Sequence, residues 1–121
     1  MKTELDKEQM HNLIELGYDC SDASYEYVKY GQYEKIGFAG IVWSNECLKP
    51  KSMDVNCIVE SIIPCYTIGD LYDKFESYEL NSLKHDKNGW KFTSIEHNIT
   101  LKEDELIDIL YKILINIKIA K

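Results

Sequence analysis

The stretch IPCYTIGDLYDKF, from Ile63 to Phe75, decides the fold because it predicts where the chain leaves a sheet and enters a helix. Residues 55–63 ahead of it (VNCIVESII) are apolar and rich in β-branched side chains, which favours a strand. Pro64 has no backbone N–H to donate to a sheet, so we expect it to end that strand. Cys65 then stands before the helix, either as a reactive thiol or as part of an architectural corner.

The residues after this cysteine predict a helix over about residues 68–76. Thr67 is a favourable N-cap, and Asp70 follows three residues later, which is the spacing of a capping box. Tyr66 and Leu71 occupy the two positions of a hydrophobic staple, which fixes the angle of entry into the helix. The corner is therefore specified by residues that lie close together in the sequence.

The same kind of signal predicts a first helix over residues 7–16. Asp6 is the expected N-cap, and Gln9 lies at the third helical position, where it completes a second capping box. Apolar side chains recur at helical spacing, and Gly17 suits the left-handed residue that follows a helix.

The segment between these two helices is less uniform. Residues 18–35 are compatible with a short capped helix or with a turn at 19–23 followed by extended chain, and the second interpretation is favoured. Residues 36–44 (IGFAGIVWS) predict a strand, because they are apolar and their glycines weaken a helix. Residues 45–54 predict a polar loop with KPKS at its centre.

Downstream of the second helix, the dipeptide Asn88-Gly89 predicts a β-hairpin. Both central residues of a type I′ turn need a positive φ, and Asn and Gly adopt a positive φ more readily than most other residues. The runs on either side alternate between apolar and polar residues, so we expect strands near 79–86 and 90–96.

The C-terminus predicts a long helix that begins at a capping box formed by Thr100 and Glu103 and ends near residue 119. Its polar stripe is narrow and consists of Asp104, Asp108, Lys112 and Asn116. Nearly every other residue from 106 to 119 is apolar, so most sides of the helix must be covered. Two arrangements do this: the helix packs across the sheet as the central core element, or it also buries a face in a homodimer.

The order of these elements predicts an α+β fold, with a small antiparallel sheet and about three helices packed mainly on one face. A chain of 121 residues with 45% hydrophobic residues suits a single domain over 1–121. The N-terminus has charges where a signal peptide needs an apolar run, and no segment approaches the length of a membrane span. We therefore expect a cytoplasmic protein with no membrane partner and with its four cysteines reduced.

The net charge argues against nucleic acid as a partner. The chain carries a formal charge of −7, whereas nucleic-acid binders usually present a basic patch. Its densest basic segment, KPK at Lys49 to Lys51, is short and isolated. An acidic decoy of DNA is a weaker idea, which requires carboxylates aligned on one face of the molecule.

Several pieces of the sequence resemble a group of small uncharacterised Bacteroidetes proteins that are often found near prophage or mobile-element genes. The shared features are an Ile-Pro-x-aromatic-Ser/Thr-Leu corner and the start of the C-terminal helix. Their counterparts here are Ile63, Pro64, Cys65, Tyr66, Thr67, Ile68, Leu71, Leu106, Ile107 and Asp108. The resemblance implies an architecture and a genomic setting but no catalytic residues. In that group we expect alanine at the position that Cys65 occupies here.

No residue pattern points strongly to catalysis, to a cofactor or to a metal. Cys65 precedes the expected N-cap, and His11, His85 and His97 belong to separate elements, so no base is placed beside the thiol. Cysteine and histidine spacings do not match those of structural zinc sites, and no glycine-rich phosphate loop is present. We assign no catalytic, cofactor-binding or metal-binding residue.

The aromatic residues offer the best candidate for an interaction surface, because Tyr and Trp are enriched where proteins bind each other. The candidate residues are Tyr25, Tyr27, Tyr30, Tyr33, Trp43 and Trp90. The alternative is that these side chains simply pack the sheet. The leading hypothesis is a non-enzymatic protein that acts through contacts with an unidentified protein partner, and the runner-up is a small hydrolase or transferase that uses Cys65.

Overall fold

The computed structural model describes residues 1–30, 46–51 and 59–118. Three α-helices lie within these residues: α1 (Lys7–Glu15), α2 (Ile68–Tyr72) and α3 (Leu106–Ile113). The strands of the same residues are β1 (Tyr25–Tyr30), β2 (Glu46–Pro50), β3 (Val59–Cys65), β4 (Lys84–Asp86), β5 (Gly89–Ser94) and β6 (Ile99–Glu103). The predicted α+β class and the antiparallel pairing are confirmed, although the strands divide into two sheets of three.

The first sheet has the order β2-β1-β3, with both edge strands antiparallel to β1. The turn followed by extended chain that was favoured for residues 18–35 is confirmed as far as Tyr30. The strand predicted over 36–44 lies outside the described residues, as does the beginning of the strand predicted over 55–63.

Two predictions for the edge strands were wrong. Residues within the predicted loop at 45–54 form β2, because Lys49 pairs across the sheet with Glu26 and a polar edge strand tolerates such residues. Pro64 does not end β3, which continues to Cys65. An edge strand has one unpaired side, so it accommodates a residue without an N–H.

The second sheet has the order β4-β5-β6 and contains the predicted hairpin. The turn differs from the expected type I′, because Asp86 pairs with Gly89 and only Gly89 of the Asn88-Gly89 dipeptide has a positive φ, at 108°. The first strand is also shorter than predicted, because Ser77–Leu80 form a 3₁₀ turn before β4 begins.

Both N-terminal caps are formed as the sequence predicts. The Asp6 carboxylate accepts from the Gln9 backbone N–H at 2.8 Å, and the Gln9 side-chain oxygen accepts from the Asp6 backbone N–H at 3.0 Å. Thr67 and Asp70 form the equivalent capping box at the start of α2. The second helix ends at Tyr72, four residues earlier than the predicted 76.

The predicted start of the C-terminal helix was wrong. Thr100 and Glu103 belong to β6, which pairs along its length with β5, and α3 begins only at Leu106. Pairing across the sheet therefore outweighs a local capping signal. Past Ile113 the chain continues in a wider π-type turn over Leu114–Lys118.

The third helix connects the two halves of the core. Leu110 of the helix and Leu114 directly after it pack in a cluster with α1, α2 and Tyr66. Ile109 and Ile113 pack in a second cluster with Phe92 of the hairpin. All four of these side chains are at most 1% exposed, so the helix is covered on both sides.

Replacing Gly89 with alanine is expected to destabilise the hairpin. A Cβ at this position would lie 2.8 Å from the Glu103 carbonyl oxygen, and the φ of 108° is unfavourable for any residue with a side chain. We expect a loss of about 2 kcal/mol or more in the free energy of unfolding, measured by urea denaturation.

Gly69→Ala is the matched control for that experiment. Gly69 lies in α2, and a Cβ there would meet only the Thr67 hydroxyl, at an ordinary 3.8 Å. This variant is expected to be neutral or more stable by up to about 1 kcal/mol. Equal stabilities for the two variants would contradict the assigned hairpin geometry.

Candidate functional site

Cys65 is a buried core residue with no exposed surface. Its thiol donates to the Leu5 carbonyl oxygen at 3.2 Å, and burial raises the pKa of the thiol to about 11. A reactive cysteine needs the opposite environment, with a lowered pKa and access to substrate. His11 lies in α1, and the other two histidines lie in the second sheet or its connecting turn.

The carbonyl group of Leu5 explains why this corner is so closely packed. It also accepts a hydrogen bond from the Tyr27 hydroxyl at 2.7 Å, and burial raises the pKa of that hydroxyl above its usual value. The N–H of Leu5 donates in turn to the Tyr66 carbonyl oxygen at 3.0 Å. The corner therefore joins the N-terminal segment to β1 and to the end of β3, which is an architectural arrangement.

The six aromatic candidates do not form one surface among the described residues. Tyr25 and Tyr27 are half-buried and lie on the face of the first sheet that also carries Ile63 and Cys65. Tyr30 ends β1, whereas Tyr33 and Trp43 lie outside the described residues.

Trp90 belongs to the other sheet. Its ring lies 4.5 Å from the His85 ring, and its half-buried side chain packs beside Phe92 and Ile109. The described members of the set thus mainly pack their own sheets. Their role as an interaction surface stays a prediction.

Most of the apolar surface of the C-terminal helix is buried inside the monomer. Ile107, Ile109, Leu110, Tyr111, Ile113 and Leu114 are each 7% exposed or less. Ile115 and Ile117 are half-buried and pack against the two core clusters. The homodimer through this helix stays a prediction.

A shallow groove of about 380 Å³ lies between the end of α1 and α3. Asn12, Glu15, Leu16, Tyr111 and Ile115 line it. The Asn12 side chain donates to the Tyr111 hydroxyl at 3.2 Å, so two of the polar groups that line the groove are already hydrogen-bonded to each other. The groove presents few groups that would fix the orientation of a small molecule.

The outer face of the second sheet carries a feature that sequence reasoning missed. Lys84 pairs with Lys91, and Lys91 pairs with Lys102, so that three lysines stand side by side across β4, β5 and β6. All three are exposed, and none of their side chains has an ion pair or hydrogen bond with another described residue. We call this set the lysine row.

Different residues border the lysine row on its two sides. Thr93 and Thr100 pair beside it and are both exposed. On its other side lie the exposed residues Asp86 and Asp104, next to Gly89 at the hairpin turn. Trp90 and Phe92 alternate with these positions and so point to the opposite face of the sheet, toward α3.

Local sequence could not reveal this surface, because its lysines are far apart in the chain and meet only through strand register. The basic segment that the sequence does show is already engaged. Lys49 is 8% exposed and places its Nζ 2.6 Å from Glu26 Oε1, while Lys51 donates to the Ser21 carbonyl oxygen at 2.6 Å.

Within residues 1–30, 46–51 and 59–118, no three His, Cys, Asp or Glu side chains are grouped so that they could hold a metal ion. None of the helices in these ranges is long and apolar enough to cross a membrane. Comparison of the chain with protein-family models, with curated proteins and with solved structures finds no match. The resemblance to the Bacteroidetes group therefore stays a prediction.

Lys91→Glu is expected to stabilise the protein. Like charges directly opposite each other on neighbouring strands are unfavourable, whereas a central glutamate would face a lysine on each side. We expect the free energy of unfolding to rise by about 0.5–1 kcal/mol in urea denaturation at low salt. Lys87→Glu is the control, because it changes the net charge equally at the exposed hairpin turn. An equal effect of the two variants would contradict repulsion within the row.

Cys65→Ala is expected to reduce the loss of stability at alkaline pH. The pKa of Cys65 is raised from 9.0 to about 11, so the folded state keeps a proton that the unfolded state releases. The free energy of unfolding therefore falls as pH rises through this interval, by an amount on the order of 2 kcal/mol. Urea denaturation at a series of pH values should give a flatter slope for the variant, and equal slopes would exclude a buried protonated thiol.

Proposed function

We propose that the protein is a non-enzymatic cytoplasmic protein that acts by binding another protein, and that the outer face of the second sheet is its contact surface. The observation that carries this proposal is the lysine row. It places three like charges side by side in a chain whose net charge is −7, at a cost in stability. A binding role on this face accounts for that cost.

A protein partner is favoured over nucleic acid by two features. The net charge of −7 repels a long polyanion at a distance, even where one face is basic. The aromatic side chains of the hairpin, Trp90 and Phe92, point away from the lysine row, so the described residues of the outer face provide no platform on which bases would stack. The aligned charges of this sheet are also lysines, whereas a decoy of DNA requires aligned carboxylates.

The enzymatic alternative depends on Cys65, and the contacts of this residue do not favour it. The thiol is buried, and burial raises its pKa, whereas a reactive cysteine needs a lowered one. Mass spectrometry after brief alkylation should find the residue unmodified in the folded protein. Modification as fast as that of a free cysteine would favour the enzyme.

The variant Lys84→Glu/Lys102→Glu is expected to abolish partner binding. It leaves Lys91 between two glutamates, which gives favourable cross-strand pairs, so the sheet should stay folded while its charge is reversed. A tagged protein would be used to capture its partner from a lysate of the source cell. A protein held by the wild type should be lost with this variant.

The control is Lys7→Glu/Lys51→Glu, which changes the net charge by the same amount at exposed positions outside the second sheet. It also removes the hydrogen bond from Lys51 to the Ser21 carbonyl oxygen, which is likewise outside that sheet. It should capture the partner as the wild type does, and circular dichroism would verify that both variants are folded. If the lysine-row variant retains the same partner at the same yield, the outer face is not the contact surface.

A further inference from the structure

We propose that the lysine row binds one face of an acidic α-helix in the partner, with carboxylates at positions i, i+3 and i+7. This inference rests on the proposed function and adds the chemistry and the shape of the ligand. It starts from the spacing of Lys84, Lys91 and Lys102, which lie on three neighbouring strands in direct register.

Antiparallel geometry fixes that spacing. The N–H and C=O of a residue in a central strand point to the same side, so Lys91 forms a hydrogen-bonded pair with one neighbour and a closer, non-hydrogen-bonded pair with the other. The two Cα separations in such an arrangement are about 5.5 Å and 4.5 Å. The lysine row is therefore about 10 Å long from end to end.

An α-helix laid across the strands matches this length. Residues at i, i+3 and i+7 share one face, and their positions along the axis are separated by about 4.5 Å and 6 Å, or about 10.5 Å in total. Alternate residues of an extended peptide are about 6.8 Å apart, so three of its carboxylates would span about 13.5 Å. The lysine stems can absorb part of this excess, but the helix needs no such adjustment.

The residues on either side of the row define how a helix would lie. Thr93 and Thr100 offer hydroxyl donors to carboxylates that approach from their side of the row. Asp86 and Asp104 repel carboxylates on the other side. The acidic stripe is thus confined to the row and its threonine side, and a basic residue of the partner fits the aspartate side.

The test uses two synthetic helical peptides with the same composition and blocked ends. One places three glutamates at i, i+3 and i+7, and the other places them at i, i+1 and i+6, so that they point around the helix. Circular dichroism verifies that both are equally helical. A single exposed ion pair contributes little free energy, so the complex is expected to be weak. Binding is therefore followed by NMR titration of the backbone amides, which detects weak complexes and locates them by residue.

We expect the first peptide to shift amide signals of β4, β5 and β6 and to bind about tenfold more tightly than the second. Its binding should weaken with added salt. It should also be lost in Lys84→Glu/Lys102→Glu and retained in Lys7→Glu/Lys51→Glu. Equal binding of the two peptides would show that acidic composition is enough and would overturn the helical geometry.

The outcomes separate this inference from the proposed function. If neither peptide binds while capture of a cellular protein still depends on the lysine row, the helix inference is wrong and the proposed function stands. A duplex DNA oligonucleotide is titrated in parallel as a third probe. If it binds through the row more tightly than the first peptide, both proposals are wrong, because the ligand is then a nucleic acid.

Discussion

The burial of α3 is the constraint on which the rest of the structure depends. A helix with so narrow a polar side needs apolar neighbours in nearly every direction. Leu110 and Leu114 pack against α1 and α2, while Ile109 and Ile113 pack against the hairpin. Each sheet has only three strands within the described residues, and packing against a helix stabilises a sheet of this size. The shared helix makes one packed interior out of two small sheets.

The polar side of the same helix holds the N-terminus in place. The Lys2 ammonium lies 2.7 Å from Asp108, and its backbone N–H donates to Glu105 at 3.1 Å. Burial of these groups is partial, so the ion pair and the hydrogen bond each contribute little alone. Their combined effect is to position residues 3–5 alongside 66–68, where the Leu5 carbonyl accepts the bonds of Tyr27 and Cys65.

Contacts that span three or four residues were predictable from the sequence, and those that span the fold were not. The capping box of Thr67 and Asp70 depends on two neighbouring side chains, so its sequence signature is sufficient. Thr100 begins the same kind of signature, but its cross-strand partner Thr93 determines its conformation. The lysine row is the extreme case, because nothing in the sequence near any one of its lysines indicates the other two.

The dependence of the lysine row on register makes it a product of completed folding. Side chains alternate between the two faces of a strand, so a slip of one residue in β5 would turn Lys91 toward the core and Phe92 toward water. The turn at Gly89 holds the pairing at the correct position. A newly made or damaged chain has the same lysines but not their alignment. A partner that needs the aligned charges would therefore distinguish mature molecules from immature ones without any separate quality signal.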